Sequence, residues 1–103
     1  MNIIGIDREF ILETLKANRD RLRVEFGIER IGLYGSFARN EQTEKSDVDL
    51  VYDLAEGHRL SLVDRDRLQR VLQKKMCRKP DLINQRFMNP FTRHTMLKDV
   101  LYV

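Results

Sequence analysis

After Asp7, the apolar residues Ile11, Leu15, Leu22 and Phe26 recur at helical spacing, with a polar gap at Asn18 and Arg19, until Gly27 stops the pattern. Asp7 is a capping residue type and Gly27 a terminating one, so the spacing predicts one helix over residues 8–26. The period then changes. Ile31 and Leu33 alternate within Ile28–Tyr34, and the run ends at Gly35-Ser36, which predicts a strand feeding a short helical turn over residues 37–41.

The stretch Asn40-Glu41-Gln42-Thr43-Glu44-Lys45-Ser46 holds no apolar residue and reads as an exposed connection to a second strand over residues 47–52. Beyond a polar loop at Glu56-Gly57-His58, Ser61 is placed to cap a helix with Asp64 three residues on, and Leu68, Val71, Leu72 and Met76 supply its buried stripe. Residues 81–83 read as a third short strand. Asn89-Pro90 is a helix start, and Met96, Leu97, Val100 and Leu101 give the last segment an apolar face. The predicted class is α/β in the order α-β-α-β-α-β-α.

At 103 residues, 42% hydrophobic and 34% charged, the chain suits a single domain with one modest core. The N-terminal run Met1-Asn2-Ile3-Ile4-Gly5-Ile6 meets Asp7 and Arg8 before a signal core can form, and no apolar run approaches membrane-spanning length. The expectation is a soluble, cytoplasmic protein. Cys77 is the sole cysteine, which rules out an internal disulfide and a Cys-rich zinc site. A net charge of +3 with acids and bases interspersed gives little support to nucleic-acid binding.

Chemistry concentrates in Gly35-Ser36 followed, after ten residues, by Asp47-Val48-Asp49. On a strand, Asp47 and Asp49 project from one face and Val48 and Leu50 from the other. Two carboxylates so placed repel one another, and a hard divalent cation resolves the repulsion; Mg²⁺ prefers few carboxylates plus phosphate oxygens. Gly35 lets a phosphate approach the backbone, and the Ser36 hydroxyl and the following N–H groups offer donors. Asp81 at the start of the third strand joins the pair if the strands are neighbours, which suits two metal ions. With each residue type at roughly 5–7% abundance, such a pattern arises by chance in about one chain of this size in a thousand.

Gly35-Ser36-Phe37-Ala38-Arg39 with Ser46-Asp47-Val48-Asp49-Leu50-Val51 resembles the signature of the DNA polymerase β-type nucleotidyltransferase superfamily, in its stand-alone minimal branch. The likeness extends from the first helix to the Asp81 strand and is similar to MntA-like antitoxins of HEPN/MNT toxin-antitoxin pairs. It implies a small nucleotidyltransferase fold with a short mixed β-sheet flanked by helices. It further implies phosphate contact at Gly35 and Ser36, Mg²⁺ at Asp47 and Asp49, and a third metal or base role at Asp81. ATP is the implied substrate, and a tyrosine of a HEPN toxin is the implied acceptor of AMP. Many members carry Gly after the Ala-Arg pair where this chain has Asn40, and Asn tolerates a left-handed backbone better than most residues.

Each of these residues also has a plainer reading. Asp47 and Asp49 suit an exposed edge strand, although Asp is depleted in strands. Ser36 suits a helix cap, Asp81 a turn after Pro80, and Arg39 either a phosphate or the bare surface. Tyr34 reads as core, with a place bordering the nucleotide as its alternative, His58 and His94 as solvated, and Cys77 as packed or idle. Met88, Phe91 and Met96 read as core, some of it left open to a partner. The competing function is a non-catalytic antitoxin that blocks a toxin by stoichiometric binding; a nucleic-acid end-modifying module ranks third.

Overall fold

A computed structural model describes residues 6–103; the N-terminal run read as too short for a signal core falls, in its first five residues, outside the described residues. Helix α1 (Arg8–Ala17) is capped by Asp7, whose carboxylate accepts from the Phe10 N–H at 2.8 Å. It buries Ile11 and Leu15 and stops at Asn18, where α2 (Arg19–Phe26) begins. The single helix predicted over residues 8–26 is therefore two. The Asn18 side chain donates to the Thr14 carbonyl at 2.8 Å, competing with the helical ladder at the polar gap. The break still lets Leu22 and Phe26 reach the same core.

Strand β1 (Ile28–Tyr34), the single turn α3 (Gly35–Ala38), β2 (Val48–Leu54), α4 (Leu62–Met76) and β3 (Pro80–Asn84) follow. A 3₁₀ turn at Gln85–Phe87 leads to α5 (Pro90–Met96), a second 3₁₀ turn at Leu97–Asp99, and β4 (Leu101–Tyr102). The four strands form one mixed sheet in the order β3-β2-β1-β4, with β1 antiparallel to both its neighbours and β2 parallel to β3. This is the α/β class with a mixed sheet flanked by helices. Ile31, Leu33, Val48, Leu50 and Tyr52 pack with residues of α1, α2 and α4, while Tyr34, Asp49 and Asp53 alternate to the opposite face. Among the described residues, no helix is long and apolar enough to cross a membrane.

Helix α4 is capped as its sequence predicts, with the Asp64 N–H 3.0 Å from the Ser61 hydroxyl, and it buries Leu68, Leu72 and Met76. Val71 is half-buried beside them. Leu72 has no exposed surface, so Leu72→Ala is expected to cost about 2–5 kcal/mol of stability, read as a lowered urea midpoint with an unchanged slope.

The chain's end departs from expectation. Val100 and Leu101, expected on a helical face with Met96 and Leu97, belong to an extended segment that pairs with β1. Tertiary contact overrides local periodicity here. A Cβ at Gly32 would collide with Val100 and Tyr102, so the glycine makes a notch that admits them. The Arg30 guanidinium lies 4.2 Å from the centroid of the Tyr102 ring, whose hydroxyl is 2.9 Å from the buried Gln85 amide.

Candidate functional site

Strand β1 ends where the backbone must turn sharply. Gly35 sits at φ +77°, a conformation that favours glycine, and a Cβ there would overlap the Asp49 carboxylate. Helix α3 begins at Gly35, two residues before the turn expected over residues 37–41, so Ser36 lies inside the turn and does not cap it. The turn is closed by Arg39 N–H to Gly35 O at 3.1 Å and Glu41 N–H to Ser36 O at 2.8 Å. Phe37, fully buried, fastens it to the core. Asn40 takes φ +61°, the left-handed conformation that Asn accommodates in place of glycine.

From this turn the chain crosses to β2 through a tight loop. The Thr43 N–H donates to the Ser46 hydroxyl at 2.9 Å, and the Ser46 N–H to the Thr43 carbonyl at 3.1 Å. Asp47, exposed, is the last residue before β2, and Asp49 is half-buried one strand repeat further on. Register decides what Asp49 meets: Tyr34 lies across on β1 and Asp81 across on β3. Tyr34, Asp49 and Asp81 thus form one row over three strands, on the sheet face opposite the α1–α4 core. Tyr34 is 9% exposed, yet it is buried on the site's face of the sheet and outside the cluster that packs against the helices.

Like charges placed directly across a sheet destabilise it, and the row carries that cost. The Asp49 carboxyl is held above its ordinary value of 3.8, first by burial and then by the charges of Asp81 and Asp47, with Arg39 opposing. The same surroundings, burial followed by Asp49 and Asp81, push the Tyr34 phenol far above its usual range, so it stays protonated. Arg39 is half exposed and its guanidinium is engaged by Glu41 at 2.9 Å, so it acts on Asp49 only at longer range.

Among the described residues, no three His, Cys, Asp or Glu side chains gather closely enough to hold an ion unaided. The donor set nevertheless fits Mg²⁺, which takes one or two carboxylates and completes its octahedron with water and phosphate oxygens. A half-buried Asp49 destabilised by two neighbouring carboxylates has the electrostatic need that such a cation meets. Asp47 and Asp49 would hold it, with Asp81 alongside.

Other residues fall away from this row. Cys77 is exposed and takes the left-handed cap of α4 at φ +59°, so it does not pack; His58 and His94 are exposed as expected. Phe91 is 82% exposed, contrary to its reading as core, and Phe87 is 80% exposed nearby. Sequence reasoning missed Arg78, which donates to the carbonyls of Ser46 at 2.9 Å and Thr43 at 3.2 Å. Its nearness to Asp81 in the chain is the only signal it carries, and nothing in the hydrophobic pattern distinguishes it from the surface arginines.

Residues 13–103 match the profile of the family described as Nucleotidyltransferase domain. The chain is 34% identical over 95 residues to the protein adenylyltransferase MntA of Thermococcus cleftensis, covering 92% of this chain and 94% of that protein. It is 33% identical over 94 residues to a candidate protein adenylyltransferase of Methanocaldococcus jannaschii, covering 90% and 94% respectively. Its fold is similar to a solved candidate minimal nucleotidyltransferase, with a TM-score of 0.79 and 28% identity over 94% of this chain and 96% of that one. A chain from the complex of tri-AMPylated Shewanella oneidensis HEPN toxin with MNT antitoxin shares the fold alone, with a TM-score of 0.63 and 17% identity over 89% of this chain and 70% of that one.

Proposed function

The chain belongs to the Nucleotidyltransferase domain family, and we propose that it transfers AMP from ATP to a hydroxyl, a tyrosine of a cognate HEPN-type toxin, and so acts in the cytoplasm as an antitoxin. The observation that carries this reading is the row in which Asp49 and Asp81 face each other across β2 and β3 while the Asp49 carboxylate crowds Gly35. It brings the carboxylates and the glycine turn to one mouth of the sheet, where a triphosphate can meet both.

In the proposed reaction the acceptor oxygen bonds to the α-phosphorus, the bond from that phosphorus to the β-phosphate bridging oxygen breaks, and pyrophosphate leaves. Gly35 and Ser36 cradle the phosphates. Asp81, exposed and on the same face, receives the acceptor proton. Mg²⁺, as one ion or two, supplies neutralisation of charge developing on the transferred group. Arg39 joins the phosphates once it exchanges Glu41 for them. The exposed Phe87 and Phe91 suit a protein acceptor better than a small molecule.

The test is transfer of label from α-labelled ATP to the co-encoded partner protein in Mg²⁺, with wild type beside the double variant Asp47→Asn, Asp49→Asn. Label on the partner from wild type alone is expected. A tight complex formed by both versions with no label from either establishes the stoichiometric antitoxin in place of the enzyme.

A further inference from the structure

Asp47 occupies a junction whose two sides are each held by the segment that enters β3. On one side the Ser46 carbonyl accepts from the Arg78 guanidinium at 2.9 Å; on the other the Val48 N–H donates to the Lys79 carbonyl at 3.0 Å. The same Arg78 nitrogen also reaches the Thr43 carbonyl at 3.2 Å, so the turn closed by Thr43 and Ser46 is tied down twice. Its guanidinium carbon lies 5.5 Å from the centroid of the Phe37 ring, the residue after Ser36. Arg78 itself stands three positions before Asp81.

One side chain therefore touches the glycine turn through Phe37, fixes the loop that delivers Asp47, and belongs to the segment that delivers Asp81. Among the described residues Arg78 forms no ion pair with a carboxylate, so its charge is spent on backbone carbonyls and an aromatic face. An exposed arginine without a task would remain in water. A planar guanidinium serves two carbonyls and a ring together, which an ammonium cannot do with the same geometry.

We propose that Arg78 is a positioning residue, which sets Asp47 in register with the phosphate turn and the Asp81 strand so that the three segments form one metal–nucleotide site. The inference rests on the nucleotidyltransferase reading of that site. It concerns how the site is held, and Arg78 need not touch the substrate.

Binding without turnover separates the two. The preformed Mn²⁺ complex of a non-hydrolysable ATP analogue would be titrated calorimetrically into wild type, Arg78→Met, Arg78→Lys and the destabilised control Leu72→Ala, all well below their melting temperatures. Losing a group that orients a ligand typically weakens metal affinity about 10–100-fold, and a loss of that size in affinity for the complex is expected for Arg78→Met with partial recovery in Arg78→Lys. Leu72→Ala should bind as wild type while folded. Wild-type affinity in both Arg78 variants overturns the proposal alone, and so does an equal loss in Leu72→Ala, which marks a general effect of destabilisation. Absence of binding of the Mn²⁺–nucleotide complex by wild type overturns the reading of the site and this inference with it.

Discussion

Asp49→Asn is expected to reduce transfer by about 10²–10³-fold or more and, in the same molecule, to raise the melting temperature of the ligand-free protein. The two effects have one origin. A carboxylate held half-buried between Tyr34 and Asp81, with Asp47 near, is an unfavourable arrangement, which the proposed cation and nucleotide would relieve. Asn keeps the shape and removes the charge. Relief of a like-charge cross-strand pair is worth about 0.2–1 kcal/mol, which in a chain of this size moves the midpoint by roughly 2–5 °C at the middle of that range.

The pH dependence follows from the direction of the shift. Asp49 keeps its proton to higher pH in the folded chain than the ordinary value of 3.8 allows when unfolded. Its contribution to stability is thus fully present below that value and is lost as pH rises through the raised folded value. The gap between Asp49→Asn and wild type should narrow on acidification from neutral pH and widen on return, as calorimetric scans at several pH values would show. A variant that melts below wild type at neutral pH would mean that the row of acids is not strained.

Gly35→Ala is expected to damage both the fold and the site. Holding a non-glycine residue in the left-handed region costs about 1–2 kcal/mol, and here the added methyl also meets the Asp49 carboxylate. Either the turn or the aspartate must shift, so a loss of about 1–3 kcal/mol in stability and near-complete loss of transfer should appear together. The pair can be separated by a double-mutant cycle. Removing the carboxylate in Gly35→Ala, Asp49→Ala should recover part of the stability and none of the activity. Strict additivity in denaturant melts would place the clash elsewhere.

The parts of this architecture that the sequence makes legible are those in which a local pattern and a tertiary contact agree. Alternation through Ile31 and Leu33 marks β1, and Gly35-Ser36 with Asp47-Val48-Asp49 marks the turn and the strand that face each other. The break at Asn18 escapes the pattern because the spacing from Leu15 to Leu22 is compatible with a continuous helix, whereas the break lies in the backbone of Asn18, at φ −106° and ψ 6°, whose side chain bonds back to Thr14. Strand β4 escapes for a different reason: Met96, Leu97, Val100 and Leu101 are helically spaced, and only the notch at Gly32 and the Arg30–Tyr102 stack draw the last of them into the sheet. The engagement of Arg39 by Glu41 and the grip of Arg78 on two carbonyls depend on side-chain direction, which composition and periodicity do not encode.

The β1–β2 pairing has a further consequence, for the order in which the molecule is assembled. Tyr34 and Asp49 meet at the closed end of an antiparallel hairpin, so the glycine turn and the first two acids lie within one short stretch of chain. Asp81 arrives only after α4 has been laid across the sheet and β3 has docked in parallel, a closure with a larger entropic cost. The hairpin can therefore close before β3 docks, and the electrostatic opposition between Asp49 and Asp81 begins only when the helix that packs beneath both strands is in place to withstand it.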